Sequence, residues 1–267
     1  MDDKQVSDTW ERGNPYEYYV GRWSRRVAPP FLAWLGIGDG RRWLDVGCGT
    51  GALSAAILDR CAPASVDGVD PSAGFLGNAR ERVGAKATLQ QGDAARIPLG
   101  DASVDVVVSG LVLNFVPDHL AALREMSRVT CNGGMVAAYV WDYADGMELM
   151  RHFWDAAAQL DPDAAKLDEG ARFPLCRPDA LEQVFVGAGL HAVNVAAIEI
   201  PTVFADFDDY WQPFLGGQGP APAYVMSLDD AARHSLREAL RTRLPIRADG
   251  SIELSARAWA VRGAVED

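Results

Sequence analysis

The chain has 267 residues, 49% hydrophobic and 23% charged, with a formal net charge of −12. That composition is globular and long enough for one domain with a sizeable core. Its acidity weighs against a nucleic-acid partner, which would need a basic footprint, and no apolar run reaches the roughly 18–20 residues that span a bilayer. Four cysteines, Cys48, Cys61, Cys131 and Cys176, show neither CxxC nor metal-ligand spacing, so no metal is expected. The first residues lack the apolar core of a signal peptide, and a cytoplasmic location is the expectation.

Residues 1–13 are polar. From Tyr16 to Gly36 the chain is rich in rings: Tyr16, Tyr18, Tyr19, Trp23, Phe31 and Trp34. These aromatics either plug core gaps or make residues 1–36 a helical lid over a ligand site. Pro29 and Pro30 are expected to break the segment in two. WLDVGCGTGAL, from Trp43 to Leu53, then joins a strand, a glycine turn and a helix start. Asp45 stands where an apolar strand residue would be expected, and Gly47, Gly49 and Gly51 let the backbone adopt unusual dihedrals beside a ligand.

A second buried strand, Ser65 to Asp70, precedes a helix capped by Ser72. A third, Ala87 to Asp93, ends on an acid, and the fourth, Val104 to Ser109, is apolar throughout, as in the middle of a parallel sheet. Leu120, Leu123, Met126 and Val129 give the next helix its apolar face. Asn132-Gly133-Gly134 is expected to turn the chain into strand five, Met135 to Trp141. This alternation demands a parallel sheet with right-handed crossovers.

Regularity lapses over Asp142–Pro174, where Glu148 to Leu160 is the best helix. Arg177–Gly187 and Ala192–Ile200 read as a helix and strand six. Pro201–Asp249 holds DFDDYWQPF, a Gly/Pro loop from Leu215 to Pro222 that would suit a lid or a plain connection, and a helix opening at Ser227. The last strand, Ser251–Gly263, has a length suited to a sheet edge or a hairpin partner of strand six. The expected organisation is a single α/β domain over residues 1–267, with cap insertions at 143–175 and 201–250.

Two ligands compete at the glycine turn. Gly47-x-Gly49-x-x-Ala52 satisfies a dinucleotide fingerprint, with Asp70 near the expected ribose acid. Three carboxylates at consecutive strand ends are, however, poor hosts for a pyrophosphate. They suit a cation carrying ribose and adenine: Asp45 beside an ammonium, Asp70 on the ribose hydroxyls and Asp93 on the adenine amine. S-adenosylmethionine is such a ligand.

LDVGCGTGALS, VDGVDPS, GDAARIPL, VDVVVSGLVLNFVPD and ALREMSRVTCNGG together resemble the class I S-adenosylmethionine-dependent methyltransferases, most closely the type 11 group that includes ubiquinone/menaquinone biosynthesis C-methyltransferases. The resemblance runs from about Arg42 to Asp142. It implies a Rossmann-like seven-stranded sheet, mostly parallel with strand seven antiparallel, helices on both faces and a helical cap. It further implies that Gly47, Gly49 and Gly51 approach the methionine part of the cofactor, and that Asp70, Pro71 and Ser72 surround the ribose. Asp93 and the Ala94 backbone would bind adenine, Ser109 would border the methionine amino group and Arg22 would reach its carboxylate. Many relatives have histidine where this chain has Asn114.

An oxygen or carbon acceptor needs a base, for which Asp142, Tyr143 and His152 are the candidates; His119 and His191 are more simply a surface and a structural residue. Tyr19, Trp23, Asn114, Trp141 and Trp211 are candidate acceptor contacts. Trp141, Phe153, Trp154, Tyr210, Trp211 and Phe214 either line an apolar pocket or form the cap's own core. The expected function is methyl transfer to a small molecule. An NAD-type dehydrogenase and a non-catalytic S-adenosylmethionine-binding module are the alternatives, and acceptor and oligomeric state are left open.

Overall fold

The structure, a computed structural model, describes residues 20–216 and 219–266. Tyr16, Tyr18 and Tyr19, and the middle of the Leu215–Pro222 loop, lie outside the described residues. In chain order the elements are α1 (Arg22–Leu35), β1 (Arg42–Val46), α2 (Ala52–Arg60), β2 (Ser65–Asp70), α3 (Ala73–Val83), β3 (Thr88–Gln91) and β4 (Val104–Gly110). They continue with α4 (His119–Val129), β5 (Thr130–Trp141), α5 (Glu148–Leu160), α6 (Glu169–Arg172), α7 (Pro178–Gly187) and β6 (His191–Phe204). The last are α8 (Phe207–Trp211), α9 (Pro220–Ser227), α10 (Asp230–Arg243) and β7 (Ile252–Ala264). Among the described residues no helix is long and apolar enough to cross a membrane.

The chain divides into two compact units. One comprises Ser24–Trp141, Leu175–Ile198 and the end of the chain from Ala258. It carries the body of a seven-stranded sheet of order β3-β2-β1-β4-β5-β7-β6. β1 pairs in parallel with β2 and β4, β2 with β3, and β4 with β5, while β7 runs antiparallel to β5. The mixed sheet with an antiparallel seventh strand agrees with the expectation. Central strands are apolar because both faces are covered: Trp43, Leu44, Val107, Val108, Val136 and Ala137 have no exposed surface.

Several local expectations are corrected. The last strand is no edge; it lies between β5 and β6, which agrees with the alternative of a partner for strand six. Pro29 and Pro30 lie inside one continuous helix. The helical N–H groups that the two prolines lack would have faced the carbonyls of Arg25 and Arg26, two exposed residues. Asn132-Gly133-Gly134 is a bulged stretch within β5, held because Gly133 N–H donates to Val265 O and Val265 N–H to Gly134 O. On α4 the buried stripe is Ala122, Leu123, Met126 and Val129, whereas Leu120 is 37% exposed, as a 3.6-residue period requires.

The C-terminus of α1 is tied to β7 within this unit. Arg262 donates to the carbonyls of Trp34 and Leu35 at 3.2 and 3.0 Å and its guanidinium lies 4.8 Å from the Trp34 ring centroid. The cation thus satisfies carbonyls left free at the helix end.

Among the described residues the second unit comprises Val20–Trp23, Asp142–Pro174 and Glu199–Arg257. Its core is aromatic. Phe153 stacks on Phe214 at 4.5 Å, Trp154 and Tyr224 meet them edge-on or tilted, and Phe204 packs against Trp23 and Tyr210, each at 5.3 Å. Tyr210 donates its hydroxyl to Leu149 O at 2.9 Å. Ser227 ends α9 rather than opening a helix, because Pro220 starts a helix in its first turn; α10 begins at Asp230, capped by Asp229 through the Ala232 N–H.

Candidate functional site

β1 delivers the chain to the glycine turn at the carboxyl end of the sheet. Gly47 N–H and Cys48 N–H both donate to Val69 O, at 2.7 and 3.1 Å, which fastens the turn to β2. Gly47, Gly49 and Gly51 all have positive φ, at 72°, 52° and 78°. Their surroundings differ. A β-carbon on Gly47 would stand 2.4 Å from Val112 Cγ1, and one on Gly51 3.1 Å from Ala79 Cβ, whereas one on Gly49 would find no atom nearer than 3.9 Å. Gly47 therefore serves a close approach of Val112, whereas Gly49 answers a left-handed backbone and faces open space on its β-side.

Two of the three acids are buried beside this turn. Asp45 is 1% exposed; its Oδ2 accepts from Ser54 Oγ at 2.7 Å and its Oδ1 has no partner. Burial, with a smaller contribution from Asp70, pushes its carboxyl up to about 7. Asp70 spans the turn and the next helix, with Oδ2 accepting from Gly49 N–H at 2.9 Å and Oδ1 from Ser72 N–H at 2.8 Å. Burial raises its pKa despite both bonds. Ser72 Oγ caps α3 by accepting from Phe75 N–H at 3.2 Å, and Pro71 O accepts from Gln91 Nε2 at 2.8 Å.

Asp93 is exposed and lies beyond β3, which ends at Gln91 rather than at the acid. Gly92 N–H donates to Asp70 O at 3.2 Å, which holds the start of the Asp93 loop to the end of β2. Asp93 Oδ1 accepts from Ala95 N–H at 2.7 Å, enclosing Ala94 in a tight turn. Asp70 and the start of the Asp93 loop thus meet at neighbouring strand ends.

The segment after β4 completes this unit's polar set. Ser109 is 1% exposed and its Oγ has no partner; Asn114 is 8% exposed and its Nδ2 has none. Between them Leu111 takes a left-handed φ of 62° and donates its N–H to Tyr139 O at 2.8 Å, a conformation costly for a branched residue. Val112, next along, is the side chain that abuts Gly47. Buried polar atoms normally have partners; in this unit Asp45 Oδ1, Ser109 Oγ and Asn114 Nδ2, like Trp43 Nε1, have none.

The remaining candidates belong to other segments of the chain. In the second unit Arg22 is engaged: Nη1 bonds Asp209 Oδ1 at 2.8 Å, Nη2 reaches Asp209 O at 3.4 Å, and the guanidinium lies over Trp23 and Phe204 at 4.5 and 4.8 Å. Asp142 is also held, accepting from Arg257 Nε at 2.8 Å and from Asp145 N–H at 3.1 Å. Tyr143 is buried against Phe173 at 5.7 Å. His152 is half-buried on α5, with its pKa lowered by burial. Trp23 and Trp211, like Phe153, Trp154, Tyr210 and Phe214, are buried among the second unit's own rings. In the first unit Trp141 is buried in β5 opposite Ala258. His119 opens α4 with its pKa lowered by burial, and His191 is exposed, 3.6 Å from Glu266.

Three features escape the sequence reading. Ser54, the partner of Asp45, is a polar residue on the stripe Leu53, Ser54 and Ile57 that α2 buries, and that position was the available signal. Val112 carried none, since its contact with Gly47 is non-local. Glu169, 2% exposed in the second unit, accepts from Trp154 Nε1 and is pushed up to about 7 by burial. Among the described residues no group of three His, Cys, Asp or Glu side chains suits a metal ion.

A family model described as a methyltransferase domain, of the type 11 group, matches residues 44–138. The chain is 38% identical over 117 residues to a demethylmenaquinone methyltransferase of Staphylococcus aureus, a match covering 43% of this chain and 47% of that protein. It thus spans about half the length of the curated relatives it matches. Among solved structures it is similar to the YcgJ protein of Bacillus subtilis, with TM-score 0.59, 18% identity, and 91% and 99% of the two chains covered. It is also similar to phosphoethanolamine N-methyltransferase 2 of Haemonchus contortus, solved with phosphomonomethylethanolamine and S-adenosylhomocysteine. There the TM-score is 0.57 at 18% identity, covering 99% of this chain and 58% of the other. At such identities the structural likenesses speak for the fold.

Proposed function

Starting from the premise that this chain is a class I methyltransferase of the type 11 group, we propose that it binds S-adenosylmethionine at the glycine turn and transfers its methyl group to a small-molecule acceptor. The observation that carries this reading is the set of buried, unpartnered polar atoms, Asp45 Oδ1, Ser109 Oγ and Asn114 Nδ2, on residues at or just beyond the ends of β1 and β4. When bound, the cofactor supplies a methyl group on a sulfonium, open to in-line displacement.

This chain's residues bind and orient. Asp70 would hold the ribose: each oxygen already accepts one backbone N–H, and an ionised carboxylate has about four acceptor sites. The two amide donors fix the carboxylate's plane before a ligand arrives, which lowers the ordering cost of binding. Asp93 and the Ala94 backbone would take the adenine, and Pro71 and Ser72 would flank the ribose. Gly49, open on the side where a β-carbon would stand, leaves room for close backbone approach. A displacement of this kind needs alignment and exclusion of water more than a protein nucleophile.

Asp70→Ala is expected to weaken S-adenosylhomocysteine binding by roughly 1.5 to 3 kcal/mol, the scale of hydrogen bonds to a charged group. Titration calorimetry measures this, and an unchanged affinity would place the ribose elsewhere. Transfer itself is tested by incubating the protein with methyl-labelled donor and metabolite extracts. Label should move to a small-molecule product. The engagement of Asp142 by Arg257 favours a second reading, donor binding without turnover, in which the ligand binds and no extract accepts label.

A further inference from the structure

The methyl donor has a zwitterionic amino-acid end, whose ammonium needs an acceptor and whose carboxylate needs a donor. Arg22 is the obvious cation for the carboxylate, yet both its terminal nitrogens are committed to Asp209. Among the described residues of the first unit, the buried side-chain nitrogen and oxygen atoms without a partner are Trp43 Nε1, Asp45 Oδ1, Ser109 Oγ and Asn114 Nδ2. Trp43 and Asp45 sit within strand β1 and Ser109 within β4. Asn114 alone of these lies beyond a strand end, in the segment that presses Val112 onto Gly47. Two residues span at most about 7 Å of chain, so its backbone stays close to the glycine turn.

Resting on the donor-binding reading above, we infer that Asn114 supplies the hydrogen-bond donor to the carboxylate of the cofactor's amino-acid end. A buried amide donor left unmatched costs free energy, and a ligand carboxylate removes that cost on binding. The fixed segment is suited to this: Leu111 is held in its left-handed conformation by the bond from its N–H to Tyr139 O, which limits the positions open to Asn114. Because the amide is neutral, it orients the carboxylate without neutralising it.

Calorimetry with two ligands tests the assignment: S-adenosylhomocysteine, and 5′-methylthioadenosine, which lacks the amino-acid end. Asn114→Asp keeps the shape and sets a like charge against the carboxylate. It should weaken S-adenosylhomocysteine about tenfold or more, the scale of a lost hydrogen bond to a charged group, and leave 5′-methylthioadenosine within about twofold. Asn114→Ala should lose affinity in the same selective way, by less. Unchanged S-adenosylhomocysteine binding in both variants, or equal losses for both ligands, overturns the inference. Failure of the unsubstituted protein to bind either compound is a different result, and it overturns the donor-binding reading with this inference.

Discussion

Gly47→Ala is expected to cost roughly 2 to 5 kcal/mol of unfolding free energy, combining a left-handed backbone penalty of about 1–2 kcal/mol with an overpacking cost of about 1–3 kcal/mol. Both causes are visible at this residue. Its φ is 72°, and the added carbon would stand 2.4 Å from Val112 Cγ1 and 2.7 Å from Cγ2. Val112 cannot easily yield, since it follows Leu111, whose backbone is already left-handed. Gly49→Ala is the matched control. Its φ is 52° and its nearest neighbour would be 3.9 Å away, so it should lose only the backbone penalty of about 1 kcal/mol. Urea unfolding of both variants, and of Gly47→Ala combined with Val112→Ala, separates the two causes. The double variant should recover part of the loss relative to Val112→Ala alone. Equal costs at Gly47 and Gly49 would show that Val112 is not pressed onto the turn.

Asp45 should make stability fall as pH rises from about 4 to about 7. Its folded pKa, about 7, stands above the ordinary carboxylate value because burial disfavours the charge. The folded state therefore holds a proton that the unfolded chain has released, and ionising the group at higher pH costs stability. The full cost is of order 4 kcal/mol, for a displacement of about three pH units. Asp45→Asn removes the titration and can keep an oxygen for Ser54 Oγ. Its stability relative to the unsubstituted protein should improve by a few kcal/mol between pH 4 and pH 8, read from denaturant midpoints at each pH. A constant difference across that range would mean that Asp45 is ionised throughout.

The same group reports on the ligand. An ammonium beside Asp45 Oδ1 favours the carboxylate, lowers its pKa and releases a proton on binding near neutrality. Calorimetric heats in two buffers of different ionisation enthalpy should differ accordingly. Asp45→Asn should abolish that difference.

The glycine turn was legible because its requirements are local. Positive φ at Gly47, Gly49 and Gly51 selects glycine, and an acid within an apolar strand declares itself without a partner. The parallel sheet was legible for the same kind of reason, since strands alternating with helices admit few topologies. What stayed hidden depends on residues far apart in sequence. Arg22 finds Asp209, 187 residues away, and Asp142 finds Arg257, 115 residues away; no local pattern announces either pair. The same holds for the position of β7, which only its pairing with β5 decides, and for the bulge at Gly133, which depends on Val265. The aromatic density of the late segments was plain, yet only packing shows that Phe153, Trp154, Tyr210 and Phe214 interlock with one another.

The central claim is that the acids around the glycine turn select a sulfonium nucleoside over a dinucleotide. Thermal unfolding of the purified protein with S-adenosylmethionine, S-adenosylhomocysteine or NAD tests it most directly, because a ligand that binds only the folded state raises the midpoint. The first two should raise the midpoint and NAD should leave it unchanged. Stabilisation by NAD, with none from the other two, would contradict the claim.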